Sequence, residues 1–247
     1  MPSTRTSSPG PRCVRPPAGT STSSAPGRPS PTDPGMPMTS SPASRTAWVP
    51  AALAFIAGYA DAVTFVGAGG IFCAHVTGNF VVLAADLARN AKADEWLKLS
   101  TFPLFVLSVY LATHLHRRVE RSARTLLLLQ AVAFGAAAAV PWAIQGTAAH
   151  KVVVVFAVIA MGIQNAMHRV SPSLGPMTTV MTGNVTQWFV EKVIPGAPEN
   201  AGKHRSLGFI ILAFALGCLG GAFGVQHLGF PALLVPGVLA LWVRSRL

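Results

Sequence analysis

From Trp48 onward the chain alternates long apolar runs with short polar segments. A helix needs ~20 predominantly apolar residues to cross the hydrocarbon core of a bilayer. The runs predict spans at residues 48–67, 99–115, 125–144, 152–167 and 207–225, with a last short one at 230–243. Two further apolar segments are broken. Residues 71–88 follow Gly67, Gly69 and Gly70 and leave only a half-length helix from Phe80 to about Leu87. Residues 177–190 follow Pro172, Gly175 and Pro176 and carry Thr178, Thr179, Thr182, Asn184, Thr186 and Gln187, too polar a set to face lipid. The pattern therefore predicts an all-α polytopic membrane protein of about six transmembrane helices plus two broken or re-entrant segments.

Both broken segments hold the same tripeptide. His75-Val76-Thr77-Gly78-Asn79 in the first corresponds to Val180-Met181-Thr182-Gly183-Asn184 in the second. Gly58-Tyr59-Ala60-Asp61-Ala62 precedes the first copy as Gly162-Ile163-Gln164-Asn165-Ala166 precedes the second. Matched motifs at nearly one offset indicate an internal duplication, with halves at about 48–144 and 151–243. Three full crossings in each half would invert one half relative to the other, an architecture found in many transporters.

Composition agrees with a membrane class. The chain is 51% hydrophobic and 11% charged, against roughly 25% charged in soluble domains. The net charge of +11 reflects arginines in the tail and between apolar runs. This fits the positive-inside rule better than nucleic-acid binding, which is not expected. His116-Arg117-Arg118-Val119-Glu120-Arg121 is the strongest basic cluster outside the tail and is placed in the cytoplasm. That placement argues for broken segments that turn back rather than cross, because total charge counts for the two topologies barely differ. The N-terminus is then cytoplasmic and the location the cell membrane. Residues 1–47, rich in Pro, Ser, Thr, Gly and Arg, are expected to be disordered, and Met36 or Met38 offers an alternative translation start. Cys13, Cys73 and Cys218 form neither a zinc motif nor a disulfide framework.

The candidate site follows from the repeat. Irregular backbone at membrane depth is tolerated only where protein buries it or it lines a watery cavity. Thr77 or Asn79 can cap the helix that follows, and a helix N-terminus favours an anion or a polar carbonyl. Gly78 and Gly183 permit close backbone approach. Asn79 and Asn184 offer donors and acceptors, and His75 adds a group able to titrate near neutrality. Asp61 lies ~20 Å along its helix from Trp48, well inside the hydrocarbon, where an acid marks a pathway or relay by default. Its counterpart Asn165 is the neutral isostere, which suits a single proton- or cation-coupling carboxylate. The predicted binding set is Asp61, His75, Thr77, Gly78, Asn79, Asn165, Thr182, Gly183 and Asn184. Its ligand would be a small polar or anionic solute, carried by a transporter or channel-like protein.

Other readings stay open. The Thr-Gly-Asn residues could simply cap and pack two broken helices in a structural or regulatory membrane protein that transports nothing. An enzyme is not expected, since metalloprotease, nucleophile-elbow, Walker and dinucleotide signatures are missing; no cofactor and no metal is predicted. The glycines at 217, 221, 220 and 224 make a helix-packing face that fits either this chain or a second copy, so a homo-oligomer is allowed. The lipid bilayer is the one partner the pattern requires.

The motifs Gly58-Tyr59-Ala60-Asp61-Ala62, His75-Val76-Thr77-Gly78-Asn79, Met161-Gly162-Ile163-Gln164-Asn165-Ala166 and Thr179-Val180-Met181-Thr182-Gly183-Asn184-Val185-Thr186 resemble the hallmark segments of the YoaK-type bacterial membrane family. The resemblance covers about residues 48–243. It implies a polytopic inner-membrane protein and supplies no catalytic residues, because that family is a domain of unknown function.

Overall fold

A computed structural model describes residues 48–89, 95–120, 122–194 and 201–247. The expectations for the N-terminal tail lie outside the described residues. Eight α-helices follow one another among those described: α1 Trp48–Gly67, α2 Gly78–Ala88, α3 Glu95–His116, α4 Ser122–Ala143, α5 Thr147–Val170, α6 Met181–Val193, α7 Ala201–Leu228 and α8 Leu234–Arg246. Five of them, α1, α3, α4, α5 and α7, are long and apolar enough to cross a membrane. The sixth expected span divides into a 3-10 turn at Phe230–Leu233 and the 13-residue α8. Most helices run past their expected ends because polar residues such as Lys151, His168 and His227 continue the helical turn after the apolar run has stopped.

The limits of α1 match the sequence expectation. Pro50 stands in its first turn, where a missing N–H costs no helical bond. At its other end Gly69 and Gly70 take φ of +74° and +76°, a left-handed conformation open to glycine. The Gly70 N–H bonds the Phe65 carbonyl at 2.9 Å, closing the last turn as in a Schellman motif. The chain then doubles back along α1, with Phe72 stacked on Phe65 at 4.6 Å and the Ala74 N–H on Asp61. α2 leaves this point antiparallel to α3: Asn79 meets Thr101, and Asp86 forms an ion pair with the buried Lys98 one helical turn nearer the start of α3.

α1 and α5 form the interior, while α3 and α7 turn most of their apolar surface outward. α1 packs along α7 and α5 packs along α3. α2 lies on α3 as α6 lies on α7, α4 meets α8, and α1 meets α5. The glycine face of α7 is used within the chain. A methyl group on Gly217 would fall on the Phe55 carbonyl, and one on Gly221 on the Tyr59 carbonyl. Phe55 pairs with Gly217 and Tyr59 with Gly221, so α1 and α7 run parallel.

The ends of the helices sort by charge. Trp48 packs on Trp242 at 4.5 Å, and the Arg244 Nε–H donates to the Arg124 carbonyl at 3.2 Å. Ser122 and His116 share a hydrogen bond of 2.5 Å. The start of α1, the end of α3, the start of α4 and the end of α8 thus gather with Arg117, Arg118, Arg124, Arg244 and Arg246.

Candidate functional site

Asp61 is buried in α1, thirteen residues beyond Trp48. Its Oδ1 accepts the Ala74 N–H at 2.6 Å, and its Oδ2 bonds Nδ1 of His75. Both oxygens are therefore engaged by the loop that doubles back from α1. Asp61 has 5% of its side chain exposed and His75 33%, which makes the imidazole the more open member of the pair. The His75 ring stands edge-on to Phe214 of α7 at 5.6 Å. The Thr179 main chain also lies close to the ring. The loops before α2 and α6 meet here.

The second loop repeats the arrangement without charge. Asn165 of α5 accepts the Thr179 hydroxyl on Oδ1 at 2.5 Å, while its Nδ2 donates to the Met161 carbonyl at 2.9 Å. Aligning the two Thr-Gly-Asn motifs sets Val180 opposite His75, but Val180 is half exposed. The residue that takes the place of His75 is Thr179. Residue 61 reaches residue 75, and residue 165 reaches residue 179, across the same interval; the extra residue in the second copy lies after the contact.

The two asparagines of the Thr-Gly-Asn motifs are buried and face inward. Asn79 accepts the Phe72 N–H at 2.8 Å, donates to the Phe72 carbonyl at 2.8 Å and donates to the Thr101 hydroxyl at 2.9 Å. Asn184 donates to the Met177 carbonyl at 2.8 Å. Each reaches back seven residues to clamp the strand of loop that precedes its helix. This corrects the expected capping role. Thr77 is the N-cap of α2 but already has helical φ and ψ and makes no side-chain capping bond. α6 is preceded by Val180, so Thr182, Gly183 and Asn184 fall inside its first turns. The first N–H groups of α2 are also spoken for: Gly78, Asn79 and Phe80 bond the carbonyls of His75, Val76 and Thr77. An anion at that helix start would compete with these bonds. Thr77, Thr182 and Gly183 are exposed and Gly78 is partly so. Of the polar residues in the second broken segment, Thr178, Thr179 and Asn184 are buried while Thr186 and Gln187 of α6 are exposed; Gln187 turns to Glu191 of its own helix.

Asn79 makes three side-chain bonds and Asn184 one. Interhelical hydrogen bonds in membrane proteins average ~0.6 kcal/mol with a maximum near 1.7. Asn79→Ala is expected to cost about 2 kcal/mol and Asn184→Ala about 1 or less. Thermal unfolding of the two variants in detergent checks the order, and an equal loss would mean that the first clamp carries no more than the second.

A second polar cluster, absent from the predicted set, lies behind Thr178. Gln164 is fully buried; its Oε1 accepts from Gln130 Nε2 at 2.6 Å, and its Nε2 donates to the Leu53 carbonyl at 2.8 Å and to the Thr178 hydroxyl oxygen at 3.0 Å. Thr178 in turn bonds Nε2 of the buried His168 at 3.0 Å. The signal in the sequence was a glutamine at position 130 within an otherwise apolar run and another beside Asn165; polar groups at such depth are costly unless paired.

Two crevices lie elsewhere. One of about 370 Å³ sits among α3, α4 and α5 and is walled by Leu104, Leu107, Leu111, Leu129 and Phe156. Another of about 580 Å³ lies at the basic end, beside Glu120, Ser122, Arg124, Ser171 and Ser173. Neither is lined by Asp61, His75 or the Thr-Gly-Asn residues.

No curated protein and no solved structure matches the chain. Residues 49–244 match the family described as protein of unknown function DUF1275, a span that begins one residue into α1 and ends within α8. The chain, a helical membrane protein with eight α-helices among the described residues, five of them long and apolar, belongs to the DUF1275 family.

Proposed function

We propose that this protein is a small-solute transporter or channel-like protein of the cell membrane, built from two inverted halves, with its site where the two loops meet. The observation that carries the reading is the Asp61–His75 pair at the junction of the halves, with His75 beside the Thr179 main chain. A charged pair inside a bundle of apolar helices is costly, and residues of this kind mark substrate or ion pathways. The partly exposed imidazole offers a small anion a donor, and Asn165 and Thr179 offer neutral polar groups from the other half. The site centre accordingly shifts from the Thr-Gly-Asn side chains, whose asparagines are used as loop clamps, to the residues just before them.

The inverted repeat is supported by the packing. Exchanging the halves, α1 to α4 for α5 to α8, turns the α1–α7 contact into α5–α3, α2–α3 into α6–α7, and α4–α5 into α8–α1, all of which occur. Gly58 approaches the Phe214 carbonyl of α7 as Gly162 approaches the Phe105 carbonyl of α3. α2 and α6 are ~16 and ~20 Å long at 1.5 Å per residue, too short for a 30 Å core, and return to the side from which their loops entered. Both termini then lie on the arginine-rich side, which the positive-inside rule makes cytoplasmic. A green fluorescent protein fused after Leu247 should fluoresce, whereas alkaline phosphatase at the same point should be inactive; the reverse pair of results would invert the topology.

Transport is tested with the full chain in proteoliposomes, following uptake of labelled sulfate, acetate, succinate and chloride. Uptake of at least one, reduced at least tenfold by Asp61→Asn at equal protein incorporation, is the expected result. Equal flux in the variant removes Asp61 from the pathway. A non-transporting scaffold is the second reading, favoured by the inward-facing clamps of Asn79 and Asn184; it predicts no uptake above protein-free vesicles for any of the four.

A further inference from the structure

The protein carries its own comparison for the Asp61–His75 pair. At the corresponding point of the second half an amide and a hydroxyl, Asn165 and Thr179, tie the first helix of that half to the returning loop by one hydrogen bond. The tie can therefore be made without charge. In the first half it is made by a carboxylate and an imidazole in a setting where ionic groups are expensive. The charge answers some need other than holding the loop.

We propose that Asp61 and His75 together form a proton-binding site, the pair holding one exchangeable proton that His75 passes to and from water, so that the transport inferred above is coupled to protons. Asp61 is sealed and His75 is open to the extent of a third of its side chain. With one proton on the imidazole the pair is a carboxylate beside an imidazolium, neutral as a unit. Removing that proton from the ring leaves a buried carboxylate with no neutralising partner, a state the interior opposes. The imidazole Nδ1–H stays on Asp61, so Nε2 is the atom that gains and loses the proton. An imidazolium at that edge also supplies the positive charge a small anion needs, which makes the binding of proton and anion mutually favourable.

A metal cation is a poorer fit. Sodium and its relatives require several oxygen ligands, and here one carboxylate has its Oδ1 on the Ala74 N–H and its Oδ2 on a ring nitrogen. The other titratable groups close to Asp61 are thiols: Cys73 on the same loop, beside Thr64 of α1, and Cys218 on α7. Phe214 of α7 and the Thr179 main chain face the ring. No second acid and no lysine or arginine appears among these neighbours, so an ionisation at the pair is not masked by another charge.

The test is infrared difference spectroscopy of the full chain in lipid vesicles, titrated over the pH range in which it stays folded, with wild type, Asp61→Asn and His75→Gln. The expected result is one step in the wild type in which imidazole and carboxylate bands change together, with the coupled change lost in both variants. Asp61→Asn keeps an acceptor for Ala74 and should unfold within a few degrees of the wild type. Three results would overturn the proposal: bands that stay constant throughout, bands that titrate separately, or an Asp61→Asn protein that does not fold, which would make the charge a structural need. If the coupled step is present but no solute moves in the uptake assay, the transport reading fails and the proton site stands. Flux without the step has the opposite meaning.

Discussion

Gly221→Ala should lower the unfolding temperature of the detergent-solubilised protein by several degrees, while Gly135→Ala should leave it unchanged or raise it. The two substitutions add the same methyl group to a helix and differ in what it meets. At Gly221 a Cβ would fall on the Tyr59 carbonyl oxygen, with the Tyr59 carbonyl carbon and Cα each 2.9 Å away. These are backbone atoms of α1 and cannot rotate aside, so the helices themselves must separate. Overpacking of this kind costs typically 1–3 kcal/mol and sometimes more. A value of about 3 kcal/mol is expected, because α1 is the most buried of the long helices and its contact with α7 is the most extensive in the fold. At Gly135 no atom lies within 4 Å of the added carbon. The substitution there gains helix propensity, worth up to ~1 kcal/mol. Gly217→Ala should resemble Gly221→Ala, and the double variant should lose less than the sum, since one separation of α1 from α7 relieves both clashes. If Gly221→Ala behaves like Gly135→Ala, the α1–α7 contact is not as close as described. An oligomeric size in chromatography equal to that of the wild type would further place the glycine face within the chain.

These glycines show what the sequence could and could not tell. Spacing four apart in an apolar run marked them as a packing face, yet that spacing is the same whether the partner is α1 or another copy. Only the position of Phe55 and Tyr59 decides it. The limits of α1 were legible because an interfacial tryptophan and a glycine run bound it on either side, and Asp61 stood out as an acid in an apolar helix. Its pairing with His75 was not, since the thirteen intervening residues contain a helix end and a reversal. Thr179 was hidden by a one-residue difference between the copies: alignment on Thr-Gly-Asn puts Val180 in its place, whereas counting from Asp61 and Asn165 finds it. The clamping role of Asn79 and Asn184 was misread as capping because the residue preferences of caps and of loop ties are the same. Gln164 lay within a recognised motif and was passed over for its neighbour. Its partner Gln130 sits in another helix, and nothing local in the sequence points from one to the other.

Gln164→Leu is the substitution expected to cost most in the polar interior, and adding Gln130→Leu should restore part of the loss. Gln164 is at the centre of four elements: it receives Gln130 from α4, donates to the Leu53 carbonyl on α1 and to Thr178 on the second loop, and is itself on α5. Removing the amide leaves Gln130 Nε2 with no acceptor, beside its Oε1, which already has no protein partner and is buried. Each orphaned buried group costs ~1–3 kcal/mol, so the single variant should lose about 3–4 kcal/mol when the freed bonds to Thr178 are included. The Leu53 carbonyl contributes little to this, because its own helix also offers it a donor. Replacing Gln130 as well removes both of its unsatisfied atoms and fills the space with apolar atoms, the case in which exchanging two polar partners together approaches neutrality. The double variant should therefore be more stable than Gln164→Leu alone by at least 1 kcal/mol, an interaction of the size seen for residues in one network. Unfolding midpoints of wild type, both single variants and the double variant give the cycle directly. Additive losses would mean that Gln130 and Gln164 do not act as a pair, and that the connection between α4 and the loop bearing Thr178 and Thr179 runs through apolar packing instead.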